Sequence, residues 1–176
     1  MIEVYQTSLP DVLKIKNELF RDHRGTYREI YNKEEYLNAG IKPEFVTRSY
    51  STSRRNVLRG LHGDPKTWKL ISCTRGKFYL VVMNYDEYSA YFGKWESFIL
   101  TPRNCIQILI PPMHANGHLI LSSWATFDYH QSEYYTDGSN QFSVRWNDPR
   151  FNIVWPIPIL SARDSGVKDN IKGEIR

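Results

Sequence analysis

Short β-rich runs separated by turn residues dominate the sequence beyond residue 68 and restrict the fold more than any other feature. Gly, Pro, Asn or Asp punctuate most of the joins, at spacings of about 8–12 residues. Many short strands at this spacing are typical of a β-sandwich or a barrel. The runs cover residues 69–74, 77–83, 95–100, 105–110, 118–121, 125–131 and 142–146. One short helix is predicted over 33–39, ended by Gly40 and Pro43.

The length and composition indicate one globular domain over residues 1–176. A chain of 176 residues can bury a stabilising hydrophobic core without disulfide bonds or structural metal ions. Its 41% hydrophobic and 24% charged residues are close to globular averages and exclude a disordered chain. After residue 165 the sequence becomes polar, and we expect a mobile tail there.

The sequence also indicates which kinds of binding partner and which cellular compartment to expect. No apolar run approaches the ~20 residues of a membrane helix, and residues 1–10 lack a signal-peptide pattern, so no membrane partner is expected. Cys73 and Cys105 are too few for a disulfide scaffold, and we expect a reducing cytoplasm. The net charge of +4 suits an anionic small ligand, whereas the absence of any long block of like charges disfavours nucleic acid.

A basic pair, Arg59 and His62, lies in a segment that reads as an extended strand. Residues three apart on a strand point to opposite faces, so these side chains share a face only if Gly60 forms a bulge. Spacing alone favours the simpler interpretation, in which Arg59 is a surface charge and His62 a satisfied polar residue.

Two further histidines, His114 and His118, are four residues apart, a spacing that suits a metal only on a helix. Pro111, Pro112 and Gly117 argue against a helix, and the sequence contains no His-x-His pair. We therefore expect no metal site.

Two tyrosines are further candidates for lining a binding site. Tyr129 and Tyr135 are six residues apart and would share one face of a strand. Buried tyrosines can fill a core or line a pocket, and the spacing leaves both interpretations open. Taken on its own, the sequence of the segment 158–164 predicts a solvated tail.

Several longer motifs follow one another along the chain. They are Phe20-Arg21-Asp22-His23-Arg24-Gly25-Thr26-Tyr27-Arg28-Glu29, Phe45-Val46 with Ser51-Thr52-Ser53, Arg59-Gly60-Leu61-His62, Lys69-Leu70, Phe92-Gly93-Lys94-Trp95, Ile110-Pro111-Pro112, Trp146-Asn147-Asp148-Pro149, Trp155-Pro156 and Leu160-Ser161-x-x-Asp164. Their order and spacing resemble the dTDP-4-dehydrorhamnose 3,5-epimerase family, the RmlC-like cupins, over roughly residues 18–165. The resemblance implies an isomerase that inverts carbons of a nucleotide-linked 4-keto sugar.

The fold and assembly implied by the resemblance go beyond the strand pattern. The resemblance implies an all-β, cupin-type jelly-roll sandwich with short helical segments and a pocket inside. It also implies a homodimer whose N-terminal strands cross to the partner, so that residues near Arg24 and Glu29 complete the neighbouring site.

The resemblance also implies a role for each candidate residue. His62 would be the base, Asp164 its orienting partner, and Lys69 the group that stabilises the enolate oxygen. Tyr129 would return the proton from the opposite face, and Tyr135 would stack on the nucleobase. The diphosphate ligands would be Arg24, Arg59 and Arg48, with Glu29 and Asn116 as further pocket residues. Proton transfer of this kind needs no metal and no cofactor.

Three departures from the family pattern bear on the substrate. Thr47-Arg48-Ser49 stands where the family usually has Gln-Asp-Asn, Asn116 stands where it usually has His, and the loop between His62 and Lys69 is short. The short loop and the Asn are similar to the branch that acts on GDP-linked 4-keto heptoses in capsule synthesis, which we favour. A dTDP-4-keto-6-deoxyhexose epimerase, an enzyme acting at C3 only, a ketoisomerase and a non-catalytic nucleotide-sugar-binding cupin are the alternatives.

Overall fold

The chain folds into two antiparallel sheets, as a computed structural model that describes residues 1–135, 141–156 and 158–165 shows. The first sheet has six strands, in the spatial order β1 (Ile2–Gln6), β2 (Leu13–Asn17), β10 (Ile106–Ile110), β7 (Lys69–Arg75), β12 (Trp124–Gln131) and β5 (Thr47–Arg54). The second has five, in the order β13 (Phe142–Ser143), β6 (Leu58–Gly63), β11 (His114–Ile120), β8 (Phe78–Asn84) and β9 (Trp95–Leu100). A separate hairpin pairs β3 (Phe20–Asp22) with β4 (Gly25–Tyr27). The predicted all-β sandwich is confirmed.

The main core lies between the two sheets. Alternation along each strand sends every second side chain inward, so Ile71 and Phe127 of the first sheet meet Phe78 and Leu80 of the second. The outer faces are covered as well. Helix α1 (Lys33–Asn38) covers the first sheet through Tyr36, and the chain after β13 covers the second sheet.

The predicted helix and most predicted strands match the structure to within a few residues. Helix α1 begins after Asn32, whose side chain accepts a hydrogen bond from the Glu35 N–H, and it ends before Gly40. Strand β11 begins at His114, four residues earlier than the predicted start, because Met113 turns the chain at φ 61° and the new strand then pairs along all of β8. Neither helix of the described chain has the length or the apolar character needed to cross a bilayer.

The segment 158–165 is anchored beside β6, and its interpretation as a solvated tail is wrong. The Leu58 N–H donates to the Ile159 carbonyl, and the Ile159 N–H donates to the Asn56 carbonyl. A short helix, α2 (Ala162–Ser165), follows this parallel bridge. The predicted mobile tail falls on residues 166–176, which lie outside the described residues.

A bulge in β6 explains how Arg59 and His62 share a face although they are three residues apart. His62 pairs with Asn116 and Arg59 pairs with His118, so three steps along β6 match two along β11. Gly60 has a φ of +119°, and a Cβ there would lie 2.5 Å from the Gly117 Cα. The bulge therefore requires glycine, and it turns Arg59 and His62 toward the same face.

Gly60→Ala should destabilise the protein by about 1–3 kcal/mol more than Gly25→Ala does. Both glycines have strongly positive φ, +119° and +131°, so both variants carry backbone strain. Only at Gly60 does the added methyl group collide with backbone, whereas no atom lies within 4 Å of it at Gly25. Urea unfolding of both variants measures the difference in the free energy of unfolding. An equal decrease in the two variants would show that the close approach of Gly60 to Gly117 does not require glycine at position 60.

Candidate active site

A cavity of about 380 Å³ lies between the two sheets, and each sheet supplies one wall. The first sheet contributes Ser49, Ser51, Lys69, Phe127, Tyr129 and Gln131. The second sheet contributes Arg59, His62, Asn116 and His118. Tyr135 and Gln141 lie at the rim, on either side of residues that are outside the described part of the chain. Seven of the ten predicted site residues are thus near this cavity, with Asp164 reaching it through His62.

His62 and Asp164 form an ion-pair contact on the second wall. His62 Nε2 lies 3.0 Å from Asp164 Oδ1, and the Asp164 side chain is only 5% exposed. The other ring nitrogen, Nδ1, lies 3.0 Å from the Ser143 hydroxyl. Burial alone raises the pKa of Asp164, but the contacts with His62 and Ser161 and the Gly60 N–H outweigh burial and lower it. An ionised carboxylate is therefore available to orient the imidazole and stabilise its protonated form.

Lys69 bridges the two sheets. Its Nζ donates a hydrogen bond to Asn116 Oδ1 at 3.2 Å. Burial lowers the pKa of Lys69 to about 8, and the negative charge of Asp64 opposes the shift only in part. A lysine with such a pKa is mostly protonated at neutral pH, so it can donate to an oxygen on which negative charge develops.

Tyr129 faces the cavity from the wall opposite to His62. It lies on β12, two residues after Phe127, and the two aromatic ring centroids are 5.3 Å apart. Both side chains line the cavity because they have the same parity on the strand. The pocket-wall interpretation of Tyr129 therefore agrees with its position, since a phenol from one sheet and an imidazole from the other can contact opposite faces of one ligand.

Arg59 supplies a positive charge that has no carboxylate partner in the described part of the chain. Its Nε donates to the Ser53 hydroxyl at 3.1 Å, and no ion pair of Arg59 occurs among the described residues. Since it lines the cavity, its guanidinium can receive phosphate oxygens.

Three predicted ligands do not line the cavity of their own chain. Arg48 forms an ion pair with the buried Asp128 at 2.7 Å, because the alternation that turns Ser49 inward turns Arg48 outward. Arg24 pairs with Asp22 on the β3–β4 hairpin at 2.6 Å. Glu29 accepts a hydrogen bond from the Asn32 side chain at 3.0 Å.

Several cavity residues were missed in the sequence analysis, above all His118, which was considered only as a metal ligand. It lies two residues after Asn116 on β11, so the strand parity of Asn116 was the available signal. The other histidine of that pair, His114, has its Nδ1 3.0 Å from the Pro112 carbonyl oxygen. Within the described ranges, no three His, Cys, Asp or Glu side chains converge to hold a metal ion.

Comparisons with a family model, with known sequences and with solved structures find the same kind of protein to be similar to this chain. The model of the dTDP-4-dehydrorhamnose 3,5-epimerase family matches residues 6–170. The dTDP-4-dehydrorhamnose 3,5-epimerase of Salmonella typhimurium is 37% identical over 172 residues, which cover 94% of this chain and 93% of the relative. The crystal structure of the Legionella pneumophila 3,5-epimerase in complex with dTDP-4-keto-L-rhamnose matches with a TM-score of 0.89 at 30% identity, covering 95% and 92% of the two chains. The Bacillus anthracis enzyme with TDP and PPi bound matches with a TM-score of 0.89 at 33% identity, covering 96% and 99%.

Lys69→Met should raise the free energy of unfolding at pH 7 by about 1–3 kcal/mol, even though it removes a cavity residue. The unfolded chain binds the lysine proton with a pKa of 10.5 and the folded chain with a pKa of about 8, so protonated Lys69 destabilises the fold below pH 8. The lost hydrogen bond to Asn116 offsets part of the gain.

The advantage of the Met variant should shrink as the pH rises from 8 to 10.5, because the folded wild-type lysine is then neutral. Urea unfolding across this pH range measures it. Lys66→Met, at an exposed position in the preceding loop, is the control and should unfold like the wild type. A Lys69→Met variant that is no more stable than the wild type at pH 7 would contradict the burial penalty.

Proposed function

The chain belongs to the dTDP-4-dehydrorhamnose 3,5-epimerase family, and from this premise we propose how its cavity inverts C3, C5 or both of a nucleotide-linked 4-keto sugar. Membership makes the chain a carbohydrate epimerase, an isomerase that acts on nucleotide sugars. The observation that carries the proposed mechanism is the division between the walls, with His62 and buried Asp164 on one side and Tyr129 on the other.

The first step is removal of a proton from a carbon next to the 4-keto group. His62 is the base. Asp164 holds its Nε2 side, so Nδ1, which contacts the Ser143 hydroxyl, is the nitrogen that takes the proton. The ionised Asp164 stabilises the imidazolium that forms. Lys69 donates to the enolate oxygen at C4, where the low-dielectric cavity strengthens the interaction.

The second step returns a proton to the opposite face of the enolate. Return from the same face would give exchange without inversion, so inversion needs a second donor. The Tyr129 phenol comes from the other sheet and is that donor. A phenol has an unperturbed pKa of about 10, which suits donation to a basic enolate.

The remaining cavity residues bind the nucleotide part. Arg59 neutralises the diphosphate, and Tyr135 at the rim stacks on the nucleobase. We take the chemistry to be proton transfer alone, which requires neither a metal nor a redox cofactor. A cytoplasmic location remains a prediction from the sequence.

A homodimer accounts for two of the three predicted ligands that lie outside the cavity of their own chain. Phe20 and Tyr27 on the β3–β4 hairpin are 53% and 66% exposed, an unusual amount for two neighbouring aromatic side chains. Docking of this hairpin on a second copy would cover both rings and carry Arg24 and Glu29 toward the partner's cavity. Arg48 stays on the outer face of its sheet, paired with Asp128, and the hairpin does not carry it to the partner.

The comparisons favour a dTDP-linked 4-keto-6-deoxyhexose as the substrate, because the relatives are dTDP-4-dehydrorhamnose epimerases. One local observation supports a GDP-linked 4-keto heptose as the second candidate. Asn116 stands where the family usually has a histidine, and its side chain accepts the Lys69 hydrogen bond beside the proposed enolate site. A non-catalytic binding protein is disfavoured, since binding alone has no need of the His62–Asp164 pair.

The proposed function is tested by solvent-deuterium uptake in D₂O with dTDP-4-keto-6-deoxyhexose and GDP-4-keto heptose side by side. We expect the wild-type protein to label and invert one of them, and His62→Ala to abolish both label and inversion. Tyr129→Phe should still label the substrate through His62 but lower the yield of inverted product by roughly 10²–10⁴-fold, the range for a lost general acid.

Tyr50→Phe is the matched control, because Tyr50 is 74% exposed on β5 and lies outside the cavity. It should behave like the wild type in both measurements. A Tyr129→Phe variant in which label and inversion fall together by only a few fold would show that Tyr129 is a packing residue. A His62→Ala variant that keeps labelling within tenfold of the wild type would overturn the assignment of the base.

A further inference from the structure

His118 is a buried histidine on the cavity wall that the proposed mechanism does not use. The residue is 4% exposed, and its ring stacks on Phe127 of the opposite sheet with centroids 4.0 Å apart and planes 6° from parallel. Its Nε2 is buried and has no hydrogen-bond partner among the described residues. Buried polar atoms are nearly always paired, so this nitrogen is expected to bind a partner that the described residues do not supply.

The His118 imidazole is neutral at physiological pH. Burial lowers the pKa of His118 to about 3, and the positive charge of Arg59 acts in the same direction. A general base needs a pKa near the working pH, so His118 is not a second base. A neutral imidazole has one N–H donor and one acceptor nitrogen, and this pair of functions suits an uncharged hydroxyl group.

The strand register indicates which hydroxyl group this is. Asn116 pairs with His62, and His118 pairs with Arg59 one step further along the same two strands. In the proposed mechanism His62 faces the reacting carbons and Arg59 faces the diphosphate. The part of a nucleotide-linked sugar between these points is C1 and C2, and of these two carbons only C2 carries a free hydroxyl.

We propose that His118 is a specificity-determining residue that hydrogen-bonds the 2-hydroxyl group of the sugar. This inference rests on the proposed function, because it takes the sugar to lie in the cavity with the diphosphate toward Arg59. The ring is held in place by Phe127 and by Phe78, whose centroid is 5.6 Å away. A phenylalanine at position 118 could keep these aromatic contacts, but it could not pair with the hydroxyl group.

The test compares a substrate with its 2-deoxy counterpart, using whichever 4-keto nucleotide sugar the wild-type protein labels in D₂O. The wild type should prefer the 2-hydroxy substrate by roughly 10–100-fold in kcat/KM, the effect of leaving a buried hydrogen-bonding group unpaired. His118→Phe should reduce this preference to within about threefold, mainly by losing activity on the 2-hydroxy substrate.

His130→Phe is the matched control. His130 is also buried and has a ring nitrogen without a partner among the described residues, but it lies outside the cavity, against Tyr31 and Phe45. The control should keep the wild-type preference. A His118→Phe variant that discriminates as strongly as the wild type, or that loses the same factor on both substrates, would make His118 a packing residue.

The wild-type measurement also tests the proposal without any variant. Equal kcat/KM values for the 2-hydroxy and 2-deoxy substrates would overturn the role of His118 while leaving the epimerase mechanism intact. A wild-type protein that labels neither parent substrate would overturn the proposed function and this inference with it.

Discussion

The close approach of Gly60 to Gly117 is the contact on which the rest of the site depends. Because neither residue has a side chain, β6 can place one additional residue opposite β11. That residue brings Arg59 and His62 to the same cavity, and the Gly60 N–H donates to the Asp164 carboxylate. A single irregularity in one strand therefore positions the proposed base, the group that orients it and the proposed diphosphate ligand.

A cavity between two packed sheets suits a reaction that inverts a carbon centre, since each sheet presents its own side chains to one face of the ligand. His62 comes from the second sheet, whereas Lys69 and Tyr129 come from the first. The contacts that tie the walls together include the Lys69–Asn116 hydrogen bond, the Arg59–Ser53 hydrogen bond and the stack of His118 on Phe127. Sites built on strands hold their side chains more precisely than sites on loops, which favours proton transfer at fixed distances.

Local pattern and motif together predicted much of this arrangement, and the exceptions have physical causes. The strand at 95–100 was predicted to the residue because alternation and flanking turns are local signals. Asp164 could be assigned only by resemblance, since its burial depends on a bridge between residues more than 100 positions apart in the chain. The outward orientation of Arg48 follows from strand register, which the sequence does not determine until pairing partners are known.

The central claim is that one sugar ring lies between His62 and Tyr129. A crystal structure of the protein with a dTDP- or GDP-linked sugar that lacks the 4-keto group measures this directly, because such a ligand binds without reacting. We expect the sugar inside the cavity, with its two faces toward His62 and Tyr129, its diphosphate on Arg59 and its C4 side toward Lys69. A sugar bound outside the cavity, or one with both residues on the same face, would contradict the mechanism.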